Sequence, residues 1–230
     1  MKFSIIMPID TNRVEQFCNT YKAYSELGDF EYEFIMPTRS YDKVKEYFDT
    51  HNIIDKVKLI PYTHDTGYNP SKALNLGVNN AQYENIIITS PEVMPKTNVL
   101  QQLSECPGQN VLCQVFDEDA NKKISMSLVN SNFRSQHPGM YFLAMFQKKD
   151  IEAINGWDEA FMQGYAWEDD DFGHRWNRAK LPFVVRDDIQ AIHQYHPRSE
   201  TIPNGWTINR NTLNLNDADG IIKPVKGLRQ

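Results

Sequence analysis

Strand-like and helix-like segments alternate through the first 95 residues, and this alternation constrains the fold more than any other feature. Short apolar strands are predicted over residues 3–9, 32–36, 57–60 and 86–88, and the segments between them have apolar side chains at helical spacing. Pro37 is expected to end the second strand. The β-branched run at 86–88 is typical of a central strand covered on both faces. The pattern therefore predicts an α/β fold with a mostly parallel central sheet flanked by helices.

Ligands of such sheets bind beyond the carboxyl ends of the strands, where three segments are expected: 8–10, 37–39 and 89–92. Candidate substrate contacts from two of these segments are Pro8, Asp10 and Ser90. Lys72 is a weaker candidate. It follows a helix start marked by Asn69 and Pro70, and it could contact a phosphate or simply be solvated.

Composition excludes several classes of protein. The 230 residues have a net charge of −6, so the basic surface of a nucleic-acid-binding protein is missing. No apolar run reaches the roughly 18 residues of a membrane span. The first residues are typical of a β-strand rather than a signal peptide. The three cysteines have neither metal-site nor paired-disulfide spacing, which favours a reducing, cytoplasmic setting.

The second half of the chain is more mixed. Strands are predicted over 111–116, 124–129 and 140–146, and after His196 the sequence is rich in Asn, Pro, Gly and Asp. No linker separates the halves, so we expect one domain over residues 1–197. Within it we favour an N-terminal nucleotide half, residues 1–95, and a C-terminal acceptor half, residues 96–197. Residues 198–230 are predicted to form a loop or lid.

Four consecutive acids, residues 168–171, follow an aromatic loop that contains glycine. Carboxylates this close repel one another unless a helix N-terminus, a cation or a reacting hydroxyl stabilises them. Aromatic rings beside carboxylates also suit a sugar, because rings cover its C–H faces and carboxylates accept hydrogen bonds from its hydroxyls. The pattern predicts a functional site here, and a cluster of helix-capping acids is the alternative.

Several segments of the chain resemble parts of a known protein family and occur in the same order along the sequence. Residues 154–157 and 167–171 resemble the C-terminal region of β-1,4-galactosyltransferases, while 4–8 and 69–77 resemble family 2 glycosyltransferases. Together the similar segments span most of residues 3–197. The resemblance implies a GT-A (Rossmann-like) fold and an inverting hexosyltransferase. It also implies a nucleotide-sugar donor, with a UDP-sugar favoured, a glycan or glycoconjugate acceptor, and a divalent cation, Mn²⁺ or Mg²⁺.

The same resemblance assigns roles in the acidic segment. Asp169 matches the family's catalytic base, and Glu168 would orient the acceptor through hydrogen bonds. Tyr165 matches the aromatic residue that contacts the acceptor. Trp167 could stack on a sugar or pack the loop. Asp171 and Arg175 have i,i+4 spacing, which favours a helix-surface ion pair worth about a few tenths of a kcal/mol.

The candidate metal ligands are Glu92, His193 and His196. The family usually ends its central strand with Asp-x-Asp, but this chain has Ser-Pro-Glu at 90–92, so only one acid remains. The two histidines match places where galactosyltransferases have metal ligands, although a His-x-x-His pair alone is more often structural. An Asp-Ala-Asp sequence at 217–219 follows no predicted strand and is interpreted as unrelated to the metal.

Two other functions stay open. The loss of one acid at 90–92 is compatible with a non-catalytic protein that binds a glycan or a nucleotide sugar on the same fold. A nucleotidyltransferase would also use acids on an α/β sheet, but the sequence lacks a glycine-rich basic phosphate loop near its start.

Overall fold

The computed structural model describes residues 1–53, 55–63, 69–134, 140, 142–161, 166–197 and 203–229. In this part of the chain a single sheet has nine strands. They are β1 (Lys2–Ile6), β2 (Glu31–Thr38), β3 (Val57–Pro61), β4 (Asn85–Ile88), β5 (Val93–Pro95), β6 (Val111–Glu118), β7 (Ile124–Val129), β8 (Ala144–Gln147) and β9 (Val184–His193). Their order is β3-β2-β1-β4-β8-β6-β9-β5, and β7 pairs with β6.

Helices cover both faces of this sheet. They are α1 (Val14–Ser25), α2 (Tyr41–Thr50), α3 (Pro70–Asn79), α4 (Val99–Ser104), α5 (Ser131–Arg134), α6 (Lys148–Ala153), α7 (Glu168–Arg178) and α8 (Gly205–Ala218), with a 3₁₀ turn at Thr11–Arg13. Among the helices of the described ranges, none has both the length and the apolar character needed to cross a membrane.

The first four strands of the chain form the parallel part of the sheet that the sequence predicts. β1 lies between β2 and β4, with Ile5 opposite Phe34 on one side and Ile87 on the other. Helix α3 packs closely on β1, since a Cβ at Gly77 would lie 2.4 Å from the Ile6 side chain. A larger residue at position 77 would therefore push the helix away from the strand.

The second half of the chain extends the sheet in mixed directions. β8 pairs antiparallel with β4 and β6, β9 runs parallel to β6, and β5 adds antiparallel to β9. One apolar core lies between the sheet and helices α1, α2 and α4, around Phe17 and Phe48. A second lies on the other face under α3, α6 and α7, around Trp157 and Trp176. The sheet is therefore covered on both sides, as an α/β fold requires.

Three predicted strand boundaries were wrong. β1 ends at Ile6 and not at residue 9. β2 continues through Pro37 to Thr38, because the Pro37 carbonyl still accepts a hydrogen bond from the Ile9 N–H at 3.0 Å even though the ring removes its own donor. The strand expected over 140–146 is confined to Ala144–Gln147. Phe142 has a left-handed φ of 64°, which interrupts extended backbone before that point.

The C-terminal segment was predicted as a loop or lid, and this prediction was wrong for residues 205–218, which form α8. The helix has a buried face that its asparagine-rich sequence does not indicate. Asn209 and Leu213 are four residues apart on this face, and both are buried. Tertiary packing of that face outweighs the weak helix propensity of the composition.

Candidate active site

A cleft of about 430 Å³ opens beyond the carboxyl ends of β1 and β4, where ligands of α/β sheets bind. Five segments that are separate in sequence line it. Its lining includes the predicted contacts Pro8, Ser90, Trp167, Glu168 and Asp169, together with Pro70, Leu74, Ile88, Thr89, Phe142, Ala166 and Asp170. The structure thus brings most of the predicted substrate and catalytic residues to one cavity.

The acids reach this cleft through an unusual turn. Ala166 and Trp167 both have left-handed backbones, with φ of 61° and 75°, and α7 begins at the next residue. Such conformations cost about 1–3 kcal/mol each for residues other than glycine, and they persist where surrounding contacts enforce them. The turn directs the first helical turn, with Glu168, Asp169 and Asp170, towards the cleft.

Glu168 has a strongly perturbed carboxyl group. Its Oε2 atom is buried and has no hydrogen-bond partner in the part of the chain that the structure describes. Burial is the main cause that raises the pKa of Glu168 to about 7. The backbone N–H of Glu168 itself lowers this pKa, and the negative charge of Asp170 contributes to the rise. A substantial fraction of Glu168 therefore keeps its proton at neutral pH, unlike an ordinary glutamate.

Asp171 has a structural role. It accepts a hydrogen bond from Arg175 Nε at 2.6 Å, and both side chains are completely buried. Arg175 also donates to the carbonyls of Ile154 and Gly156, at 3.1 and 2.8 Å. The predicted i,i+4 pair is present, but the expectation of a surface pair was wrong. Breaking a buried pair costs about 3–5 kcal/mol because one charge is left uncompensated.

The aromatic candidates divide between cleft and core. Trp167 lines the cleft and also packs against Trp206 of α8, with ring centroids 5.1 Å apart. Trp157 and Phe161, in contrast, are fully buried in the core. Tyr165, the predicted acceptor contact, lies outside the described residues.

Glu92, His193 and His196 come together beside the cleft, as the metal hypothesis requires. Glu92 Oε1 lies 3.8 Å from His193 Nε2 and 3.6 Å from His196 Nε2, and the two Nε2 atoms are 3.3 Å apart. All three side chains are largely shielded from solvent, with exposed fractions of 12–18%. Phe142 connects the two regions, since it lines the cleft and its ring centroid lies 5.6 Å from that of His193.

The hydrogen bonds of the two histidines leave one nitrogen of each ring available to a cation. His193 Nδ1 lies 3.0 Å from the Asp117 carboxylate, and His196 Nδ1 lies 2.9 Å from the Pro197 carbonyl, and both of these groups accept. Each Nδ1 therefore holds the proton, and in the neutral rings both Nε2 lone pairs face one another and Glu92. Glu92 Oε2 is also buried without a partner among the described residues. Imidazole nitrogens and a carboxylate form a donor set for a transition metal such as Mn²⁺.

Backbone pairing and one buried glutamine align these ligands. β5 and β9 pair with Val93 opposite His193, so Glu92 lies beside the end of β9. Gln194 donates from its backbone N–H to the Glu92 carbonyl at 2.9 Å, and its side chain contacts Gln16 and Thr20 of α1. The Gln194 side chain is thus fixed against α1. This fixed segment directs the side chains of His193 and His196 to the same point.

Two residues of this region were not selected from the sequence. Arg13 Nε lies 3.7 Å from Glu92 Oε1 with 13% of its side chain exposed, and Asp117 orients His193. Arg13 is three positions after segment 8–10, which was predicted to lie at the ligand-binding end of the sheet. This short distance in sequence could have indicated Arg13 as a site residue. Asp117 lies at the end of β6, and only the pairing of β6 with β9 brings it to the site.

Asp10 and Lys72 have defined partners. Although burial alone would raise it, the pKa of Asp10 is lowered by hydrogen bonds from Ser40, from the Thr11 N–H and from Arg39. These hydrogen bonds connect the segment that follows β1 with the segment that follows β2. Lys72 donates from Nζ to the Thr63 carbonyl at 3.0 Å and is absent from the cleft lining given above.

Comparison with known families supports the interpretation of the C-terminal region. The model for the N-terminal domain of galactosyltransferase matches residues 125–197, which include the acid cluster and both candidate metal-binding histidines. The match confirms the predicted resemblance of this region to galactosyltransferases. A comparison with curated protein sequences gave no match.

Solved structures of the S. aureus glycosyltransferase TarS are similar over 94% of this chain. TarS 1–349 has a TM-score of 0.69 at 14% identity, and its complex with UDP-GlcNAc has a TM-score of 0.70 at the same identity. The chain spans less than two thirds of these structures, 65% and 66%, and 39% of a longer TarS structure. The fold is therefore the GT-A fold, as predicted.

Proposed function

We propose that this protein is an inverting glycosyltransferase that moves a hexose from a nucleoside-diphosphate sugar to a hydroxyl group of a glycan or glycoconjugate. One observation carries the proposal. Glu168 and Asp169 line a cleft, and Glu92, His193 and His196 lie beside it, across Phe142, with converging ligand atoms. Acids for the acceptor and ligands for a cation at the donor are the two requirements of this chemistry.

Asp169 is the proposed catalytic base. In an inverting transfer the acceptor oxygen attacks the anomeric carbon and loses its proton, while the bond to the diphosphate breaks on the opposite face. Asp169 is in the first turn of α7, where the helix dipole stabilises a carboxylate that accepts this proton only as attack proceeds. Glu168 orients the acceptor through hydrogen bonds, with Trp167 at the cleft wall and Tyr165 as further acceptor contacts.

Glu92, His193 and His196 are the proposed ligands of the divalent cation. When bound there, Mn²⁺ or Mg²⁺ would supply positive charge that stabilises the diphosphate leaving group. Arg13, beside Glu92, adds a permanent positive charge on the same side. The two imidazoles thus supply donor atoms where the family's Asp-x-Asp has a second acid, while the Arg13 guanidinium can only attract the diphosphate and is not a ligand.

A UDP-sugar is the proposed donor. TarS structures contain UDP-GlcNAc and UDP, which supports a uridine nucleotide in this fold. Pro8, Asp10 and Ser90 lie at the strand ends where the nucleotide is expected, and Lys72 is a more distant candidate for a phosphate contact. Arg39 follows β2 and pairs with Asp10. In the segment after this strand, family 2 enzymes often have an acid instead.

The test is sugar transfer from UDP-, GDP-, CDP- and dTDP-sugars to a glycan panel, with Mn²⁺ and with EDTA. The Asp169→Asn variant should lose at least about 100-fold in kcat, since general base catalysis contributes on that scale, while nucleotide affinity stays within about twofold. Asp219→Asn, an exposed acid at the end of α8, is the matched control and should retain full activity. Full turnover by Asp169→Asn would reject the assigned base, and nucleotide or glycan binding without turnover would favour a binding protein.

A further inference from the structure

The left-handed turn at Ala166 and Trp167 needs an external support. Neither residue is glycine, and both precede the helix start that carries the acids of the cleft. The helix itself contributes a hydrogen bond from the Asp171 N–H to the Trp167 carbonyl at 2.9 Å. A strained conformation of this kind persists only when neighbouring groups hold it.

Helix α8 provides contacts to both residues of the turn. Asn209 is completely buried and donates from Nδ2 to the Ala166 carbonyl at 3.0 Å. Trp206 packs edge to face against Trp167, and the Arg210 guanidinium lies 5.6 Å from the Trp167 ring centroid. The backbone of one residue and the ring of the next are therefore held by one face of one helix.

The C-terminal half of α8 is fastened to α7 and to the loop before it. Asn216 donates to Asp158 at 3.0 Å and to Asp171 at 2.8 Å. Asp217 accepts from Arg178 at 2.6 Å and from His174 at 2.8 Å. Hydrogen bonds at both ends of the helix fix it against the catalytic region, which is the opposite of a hinged lid.

We propose that α8 is a brace for the active site, and that Asn209 is a positioning residue that holds the Ala166–Trp167 turn so that Glu168 and Asp169 face the cleft. The brace lies beyond residues 125–197, the segment shared with the galactosyltransferase family model. The structural part of this proposal stands on the contacts of α8 alone, and only its catalytic consequence rests on the proposed function.

Hydrogen exchange of the full-length protein tests the brace without any assay of activity. In the Asn209→Ala variant the Asp171 amide, whose acceptor is the Trp167 carbonyl, should exchange about tenfold faster, while amides of β1 and β4 keep their rates. Asn211→Ala and Asn214→Ala, two exposed asparagines of the same helix, are matched controls and should leave the Asp171 rate unchanged. If Asn209→Ala does not fold, Asn209→Ser replaces it, because serine is too short to reach Ala166.

Glycine at position 166 separates support of the turn from general packing. Glycine adopts the left-handed conformation without strain, so the turn should depend less on α8 in an Ala166→Gly background. There the Asn209→Ala effect on exchange should shrink from about tenfold to about threefold or less. Equal effects in both backgrounds, a uniform rise across β1 and β4, or a rate like that of Asn211→Ala would each overturn the proposal.

The kinetic consequence is measured separately. Asn209→Ala should lower kcat about tenfold and leave nucleotide affinity unchanged, and Ala166→Gly should restore part of the loss. A raised KM for donor with unchanged kcat would contradict a positioning role. If the wild-type protein transfers no sugar, the proposed function fails, whereas the exchange data still decide whether α8 is a brace.

Discussion

Glu168 and Asp171 are three residues apart on one helix and have opposite relations to their surroundings. Glu168 Oε2 is buried without a partner among the described residues, whereas Asp171 is buried against Arg175. Burial of an unpaired acid raises its pKa, whereas the pairing with Arg175 offsets the cost of burying the Asp171 carboxylate. The first arrangement is typical of functional sites, where strain and unsatisfied groups are tolerated.

The raised pKa of Glu168 predicts a pH dependence of stability. Because this pKa is about 7 in the folded protein and near 4.5 when unfolded, the folded state binds more protons between these values. The contribution of Glu168 therefore destabilises the protein as pH rises through this window. Glu168→Gln should lose less stability than wild type between about pH 5 and about pH 8, measured by urea unfolding.

Asp219→Asn serves as the control for this comparison, because it removes an exposed acid. It should follow the wild-type pH dependence. Identical pH dependence of wild type and Glu168→Gln would mean that Glu168 is ionised as readily in the folded as in the unfolded protein.

Arg175 allows a direct comparison between a buried and an exposed pair of the same spacing. Arg175→Met should lower the free energy of unfolding by about 3–5 kcal/mol, because Asp171 is left as an unpaired buried charge. Lys45→Met removes the exposed partner of Asp49 and should cost at most about 0.5 kcal/mol. Similar losses for the two variants, measured by urea unfolding, would show that burial does not decide the strength of these pairs.

These two pairs also show what residue spacing can predict. Asp171 with Arg175 and Lys45 with Asp49 have the same i,i+4 spacing, and both pairs form. The sequence indicates the contact in each case. It does not indicate that one contact is in the core, because burial depends on the loop around Ile154 and Gly156 that packs over Arg175.

At the scale of elements, the candidate metal site depends on strand pairing. Glu92 precedes β5, His193 ends β9 and Asp117 is near the end of β6, and the alignment of the three strands brings them together. The sequence motifs predicted Glu92 and both histidines. Asp117 was missed because nothing in its local sequence differs from that of ordinary surface residues, whereas the position of Arg13 close to segment 8–10 was a signal that was not used.

Mn²⁺ titration by calorimetry tests this site. Glu92→Gln, His193→Ala and His196→Ala should each weaken Mn²⁺ binding at least about tenfold, because each removes one ligand atom from the set. Asp117→Asn should weaken it about 10–100-fold by releasing the orientation of His193. His51→Ala, which changes a histidine at the end of α2, should leave it unaffected.

Unchanged Mn²⁺ affinity in all three ligand variants would contradict the site, and an effect of His51→Ala of the same size would indicate nonspecific binding. If the ligand variants lose Mn²⁺ affinity and Asp117→Asn does not, Glu92, His193 and His196 are the ligands, but Asp117 does not orient His193.

At the scale of the whole molecule, the sequence predicts the class of fold better than its arrangement. Alternating segments and the apolar run at 86–88 indicate the parallel strands β1 to β4. The position of β8 between β4 and β6 has no local signal, since it depends on pairings between residues far apart in the chain. The helix α8 was missed because asparagines are frequent in its sequence, and local propensity favours loops for them. The cytoplasmic setting stays a prediction.

The central claim is that one nucleotide binds together with a cation held by Glu92, His193 and His196. The most direct test is thermal unfolding of the protein with UDP, GDP, CDP or dTDP, each with Mn²⁺ and with EDTA. We predict that UDP with Mn²⁺, at about 100 times its Kd, raises Tm by roughly 5–10 °C. The shift should disappear with EDTA and in His196→Ala, but not in His51→Ala. A shift that survives both EDTA and His196→Ala, or no shift with any nucleotide, would contradict the account.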